Sequence, residues 1–188
     1  MSSRVLSRSA APDAPVAVLL PGTGYTVQAP LLFWSAALLA EAGWTVVGVD
    51  WSGDAAAVTV PVPFVEAEVE AAFGHAPASA RRLIVAKSFG CFALPWARRH
   101  GIPGVWLTPL LTDPAVADAV RTATSADLVV GGDADDQWLP DAVDGTSAHV
   151  MTLPGAGHAL TLPGDWRASM NLQADLLDEV AAHIARLD

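Results

Sequence analysis

Short, nearly continuous apolar runs alternate along the chain with longer amphipathic stretches. The runs are Val16–Leu20, Thr45–Asp50, Arg82–Lys87, Val105–Thr108, Ala126–Gly131 and His149–Leu153. Runs this short and this apolar predict strands covered on both faces. Helices are expected between them. One spans about Pro30–Ala42, with Leu31, Trp34, Leu38 and Ala42 on one face and Gly43 as its stop. A second lies near Phe64–Phe73, where Val65 and Val69 share one face and Glu66 and Glu70 another. A third starts just after Ser88 and ends in Arg98, Arg99 and His100, cations suited to a helix C-terminus. Pro95 inside it predicts a kink or an early break. A fourth opens at Asp113-Pro114, an N-cap followed by proline at the first helical position. The last covers about Arg167–Leu187, with Leu172, Leu176, Val180 and Ile184 four residues apart. Strands alternating with helices specify an α/β fold, a three-layer α/β/α sandwich around a mostly parallel sheet of about six strands. Residues 1–14 read as a flexible lead-in and residues 15–188 as a single domain.

Composition narrows the function classes. The 188 residues are 52% hydrophobic, too apolar for a disordered chain. No apolar run approaches the ~18 residues of a spanning helix, so integral membrane association is not expected. Twenty acidic residues against ten basic ones give a formal charge of −10, with Lys87 the single lysine. Such a surface repels phosphate backbones, which argues against nucleic acid as a partner. Cys91 is the lone cysteine, so no intramolecular disulfide can form. Val16–Leu20 is too short for the apolar segment of a signal peptide, and a cytoplasmic location is expected. Metal-ligand spacings and a Walker loop are both missing from the sequence, so no metal is expected.

The sharpest local pattern is Ala86-Lys87-Ser88-Phe89-Gly90, between the apolar run Leu83-Ile84-Val85 and a helix. A strand–turn–helix corner this tight requires small residues two before and two after its apex, here Ala86 and Gly90. Ser88 would then project from the C-terminal edge of the sheet as a nucleophile. A bare N-cap role explains the serine alone, but not its strand and helix context. Pro21-Gly22-Thr23-Gly24-Tyr25 ends the first strand, and its glycines let backbone approach a ligand. An N–H of Thr23 or Gly24 would join that of Phe89 around a developing oxyanion. Gly131-Gly132-Asp133-Ala134-Asp135-Asp136 follows a strand and offers three carboxylates. Asp135 is favoured as the acid that orients an imidazole, Asp133 and Asp136 stay open as alternatives, and Asp113 is explained by capping. His158, in the glycine-flanked loop after the last strand, is the candidate base. His75, His100, His149 and His183 read as loop, cap or surface residues. Tyr25, Trp138 and Leu160 are the candidate substrate-binding residues. Most of the other tryptophans fit packing roles.

These motifs, in the order Ser…Asp…His, resemble the α/β-hydrolase fold family, specifically its small capless serine hydrolases. The resemblance runs from about Val16 to the C-terminus. It implies a triad of Ser88, Asp135 and His158, a backbone oxyanion hole, and hydrolysis of a small acyl substrate, an ester or thioester, without a cofactor. It also implies strand order 2-1-3-4-5-6, with the switch point between the first and third strands. The chain departs from the family in having Ala86 at the first elbow glycine, in offering no insertion long enough for a lid, and in lacking the usual N-terminal antiparallel strands. Two other functions are weighed. A non-catalytic hydrolase-like binding module would keep the elbow and misplace the base. A dinucleotide-binding domain would use Gly22-Thr23-Gly24 and Asp50, but Val27 stands where its third glycine belongs.

Overall fold

A computed structural model describes residues 2–51 and 55–187. Among these, seven strands form one sheet: β1 (Ser2–Ser7), β2 (Val16–Leu20), β3 (Thr45–Asp50), β4 (Arg82–Lys87), β5 (Gly104–Leu107), β6 (Leu128–Gly132) and β7 (His149–Leu153). Their order is β1-β3-β2-β4-β5-β6-β7, parallel except for β1, which runs antiparallel to β3. The six expected strands take the expected order, and a seventh precedes them.

That seventh strand corrects the reading of the N-terminus as a frayed lead-in: Ser2–Ser7 is an edge strand. Ser-Ser-Arg-Val-Leu-Ser escapes notice because an edge strand buries little. Val5 is 42% exposed, and only Leu6 seats firmly, against Gly48, where a Cβ would lie 2.9 Å from its Cδ1. The register also slips between Val5 and Ser7, which blurs any alternation.

The helices are α1 (Pro30–Glu41), α2 (Pro61–His75), α3 (Leu94–His100), α4 (Pro114–Arg121), α5 (Pro140–Val143) and α6 (Trp166–Ala185). Side chains of the central strands alternate between two cores. Val16, Val18 and Leu20 of β2 join α2, α3 and α4 on one face. Ala17 and Leu19 join α1 and α6 on the other. The third helix differs from expectation. Ser88–Ala93 winds as a 3-10 helix, and α3 starts only at Leu94. Pro95 thus stands in a first turn, where its missing N–H costs nothing, and no kink is needed. Among the described residues, no helix is long and apolar enough to cross a membrane.

One buried carboxylate fastens the layers. Asp127 is fully buried just before β6. Its Oδ1 accepts from the Gly104 N–H and from Trp106 Nε1–H, both at 3.1 Å. Its Oδ2 accepts from the Thr124 N–H at 2.9 Å and from Arg98 of α3 at 3.1 Å. Asp127→Ala strands these donors without partners and destabilises the fold by about 3–5 kcal/mol. A urea midpoint lowered at unchanged m-value checks this, and a loss below about 1 kcal/mol contradicts it.

Candidate active site

Parallel strands deliver the loops after β2, β4, β6 and β7 to one rim of the sheet. The loop after β4 is the tightest. Ser88 has φ 54°, a left-handed conformation that a non-glycine residue adopts only where its surroundings impose it. Gly90 makes this turn possible, because a Cβ there would lie 2.3 Å from the Leu20 carbonyl oxygen. Ala86 is fully buried on the strand side.

The loop after β2 folds against the serine. Tyr25 N–H donates to the Gly22 carbonyl at 3.3 Å, closing a turn whose third residue, Gly24, has φ 66°. Gly22 is buried, and a Cβ there would sit 3.2 Å from the Ser88 Cβ. Thr23 and Gly24 are exposed at the turn. Phe89 is nearly buried and packs edge-to-face on Trp51 at 5.4 Å and on Phe92 at 5.5 Å. Helix α1 begins only at Pro30, and Val27 is in the core. The glycine turn therefore does not open directly into a helix, as a dinucleotide fingerprint requires.

The loop after β6 carries the three carboxylates, and each does something different. Asp135 has a buried side chain. Its Oδ1 accepts the Gln137 N–H at 3.0 Å, and its Oδ2 lies 2.7 Å from His158 Nδ1. Asp133 accepts the Gly155 N–H at 2.6 Å and so pins the histidine loop. Asp136 is exposed. Asp113 caps α4, accepting from the Ala115 N–H at 2.9 Å.

His158 Nε2 stands 2.8 Å from Ser88 Oγ. Its loop is held closely from below. The Ala134 N–H donates to the Ala156 carbonyl at 3.1 Å, in a slot that a Cβ on Gly132 would enter at 1.9 Å. Gln173 of α6 donates to the carbonyls of Ala159 and Leu160, at 3.3 and 3.2 Å. In the tautomer that satisfies both contacts, Nδ1–H donates to Asp135 and Nε2 accepts the Ser88 hydroxyl.

The three candidate substrate-binding residues separate. Tyr25 lines a cavity of about 330 Å³ with Pro21, Gly22, Asp50 and Trp51; Ser88 is not in its lining, and Gly22 is the lining residue that lies against the serine. Trp138 does not face open space. Its ring occupies the slot left by Gly131, where a Cβ would lie 1.9 Å from the indole, and it is 5% exposed in the core. Leu160 is fully buried in the opposite core, at φ 52°. Trp51, just beyond β3, was not anticipated as a cavity wall, and only its place at a strand end signals it. Lys87 also faces this site, with no signal in the sequence to mark it. It is buried, with its ammonium 5.1 Å from the Tyr25 ring centroid, and burial pushes its pKa down. Burial pushes the Cys91 thiol up, so that sulfur is an inert core group.

No family model matches the chain, and no curated protein matches it in sequence. Solved structures do match. An α/β serine hydrolase homologue from Coxiella burnetii superposes with TM-score 0.73 at 16% identity, covering 96% of this chain and 89% of that one. A lidless α/β serine hydrolase from Xanthomonas campestris gives TM-score 0.70 at 18% identity, over 100% and 95% of the two chains. The chain has the α/β-hydrolase fold. Est1E of Butyrivibrio proteoclasticus, solved with ferulic acid bound, superposes with TM-score 0.67 at 14% identity, over 96% of this chain and 95% of that one.

Proposed function

We propose that the protein is a serine hydrolase that cleaves a small ester or thioester through an acyl-enzyme. One observation carries this reading: the His158 imidazole lies between Ser88 and Asp135, at 2.8 and 2.7 Å. His158 Nε2 takes the Ser88 proton as Oγ attacks the carbonyl carbon. The N–H of Phe89 and an N–H of the Thr23–Gly24 turn receive the oxyanion. His158 then gives its proton to the departing alcohol or thiol. Water attacks the acyl-serine, His158 accepts its proton, and the acid leaves with Ser88 restored. Asp135 holds the imidazole in the productive tautomer throughout.

The cavity of about 330 Å³ beside Gly22 suits a small acyl or alcohol group, with Tyr25 and Trp51 as aromatic walls. The ferulic acid held by the Butyrivibrio protein supports a small-molecule substrate of this kind. A fluorophosphonate probe should label the chain once, with peptide mapping placing the adduct on Ser88. A panel of short acyl esters and thioesters then ranks the substrates. No label and no turnover on any of them would leave the binding-module reading in its place.

A further inference from the structure

The single lysine of this acidic chain is buried beside the candidate nucleophile. Lys87 is 5% exposed and directly precedes Ser88 at the end of β4. Its stem runs against the loop after β2. There a Cβ on Gly22 would meet the Ser88 Cβ at 3.2 Å, the Tyr25 Cβ at 3.4 Å and the Lys87 Cδ at 3.5 Å. Its Nζ ends 5.1 Å from the centroid of the Tyr25 ring. Among the described residues this ammonium makes no hydrogen bond and no ion pair. A buried cation in that state weakens a fold, and an apolar stem would fill the same space. Packing therefore explains the stem of Lys87 and leaves its charge unexplained.

The neighbours set the field around that charge. Burial pushes the Lys87 pKa down, while Cys91 and Asp135 act the other way. Of those two only Asp135 is charged at neutral pH, because burial pushes the Cys91 thiol up. Burial also pushes the Tyr25 phenol up, so its ring is neutral, and its face favours the ammonium.

We propose that Lys87 is a fixed positive charge that stabilises the oxyanion formed when Ser88 attacks, acting through the interior and not by touching the substrate. The inference rests on the hydrolase reading above. A neutral ester offers the ammonium no charge to act on, whereas the tetrahedral intermediate carries one. In that reading the charged oxygen sits at the N–H of Phe89 and an N–H of the Thr23–Gly24 turn. That turn starts at Gly22, the glycine against which the Lys87 stem packs. The Asp135 carboxylate repels the same oxyanion, and the formal charge of −10 adds to the repulsion. A cation held in the interior before the reaction starts opposes both. Lys87 neither gives nor takes a proton, so His158 remains the proton carrier.

Inactivation kinetics with a neutral fluorophosphonate test this. Ser88 Oγ bonds to phosphorus, fluoride departs, and the phosphoryl oxygen gains charge in the transition state as an ester carbonyl oxygen would. Lys87→Met keeps a stem of similar length and removes the charge. Its maximal labelling rate should fall about tenfold or more, with the half-saturating probe concentration within about twofold of wild type. Its Tm should equal or exceed that of wild type, because an unpaired buried charge has gone. Lys87→Arg keeps the charge and should label at least about fivefold faster than Lys87→Met. An unchanged rate in Lys87→Met, a fall carried by weaker probe binding or by a lowered Tm, or a Lys87→Arg no faster than Lys87→Met overturns the proposal. A wild type that takes no label on Ser88 overturns the hydrolase reading and this inference together. A wild type that labels no faster than Lys87→Met overturns this inference alone.

Discussion

Ser88→Ala should lower ester turnover by on the order of 10⁶-fold, about 8 kcal/mol of transition-state stabilisation. The size follows from what the hydroxyl does in the proposed reaction. Without Oγ, no acyl-enzyme forms, and the base at 2.8 Å has no proton to remove. Residual rate would come from the oxyanion donors and from binding alone, which act on any water that reaches the carbonyl. The substitution is mild for the fold. Ser88 is nearly buried, and its side chain bonds only to His158 among the described residues. Alanine keeps the Cβ that rests near Gly22, although it still has to accept φ 54°. Single-turnover assays with a chromogenic short-chain ester, alongside a melting curve, separate lost chemistry from lost structure. A folded Ser88→Ala variant with activity within tenfold of wild type would end the hydrolase reading.

The sequence exposes those parts of this molecule that are encoded by short-range constraints. Strands buried on both faces must be apolar throughout, so β2 to β6 stand out. β1 does not, because an edge strand with one seated residue has no such constraint. Ser88 is legible because its turn restricts Ala86 and Gly90, and Gly90 has Leu20 backbone against it. His158 and the acidic loop are legible as strand-end positions. Among the carboxylates of that loop the spacing from Gly132 favours Asp135, which is the one beside His158, but it does not exclude Asp133 or Asp136, because the three differ only in how the turn orients them. The misplaced pocket residues show a second limit. Trp138 follows the acid loop in sequence, but Gly131 opens a slot for its ring one strand-end away. A glycine inside an apolar strand is a hint that a large side chain arrives from elsewhere, and it does not say which. Trp51 and Lys87 acquire meaning only once β3 and β4 are placed on either side of β2.

Asp135→Asn should cut kcat by about 10⁴-fold while leaving the protein folded. One carboxylate oxygen accepts the Gln137 N–H, and an asparagine carbonyl can still do so. That leaves the amide NH₂ facing His158 Nδ1 across 2.7 Å. Two donors cannot face each other, so the imidazole must shift its proton to Nε2. Nε2–H then points at Ser88 Oγ and cannot accept its proton. The loss, about 5 kcal/mol, is therefore a tautomer effect on the base rather than a loss of packing. Asp133→Asn makes the contrast, because among the described residues the Asp133 carboxylate bonds only the Gly155 N–H, and an amide oxygen can keep that contact. It should change kcat by less than about tenfold. If Asp133→Asn instead carries the large loss and Asp135→Asn the small one, the acid has been assigned to the wrong carboxylate. If neither matters, His158 works without an acidic partner, and its orientation must come from the bonds that hold its loop, those of the Gly155, Ala156 and Gly157 backbone and of Gln173 to the Ala159 and Leu160 carbonyls.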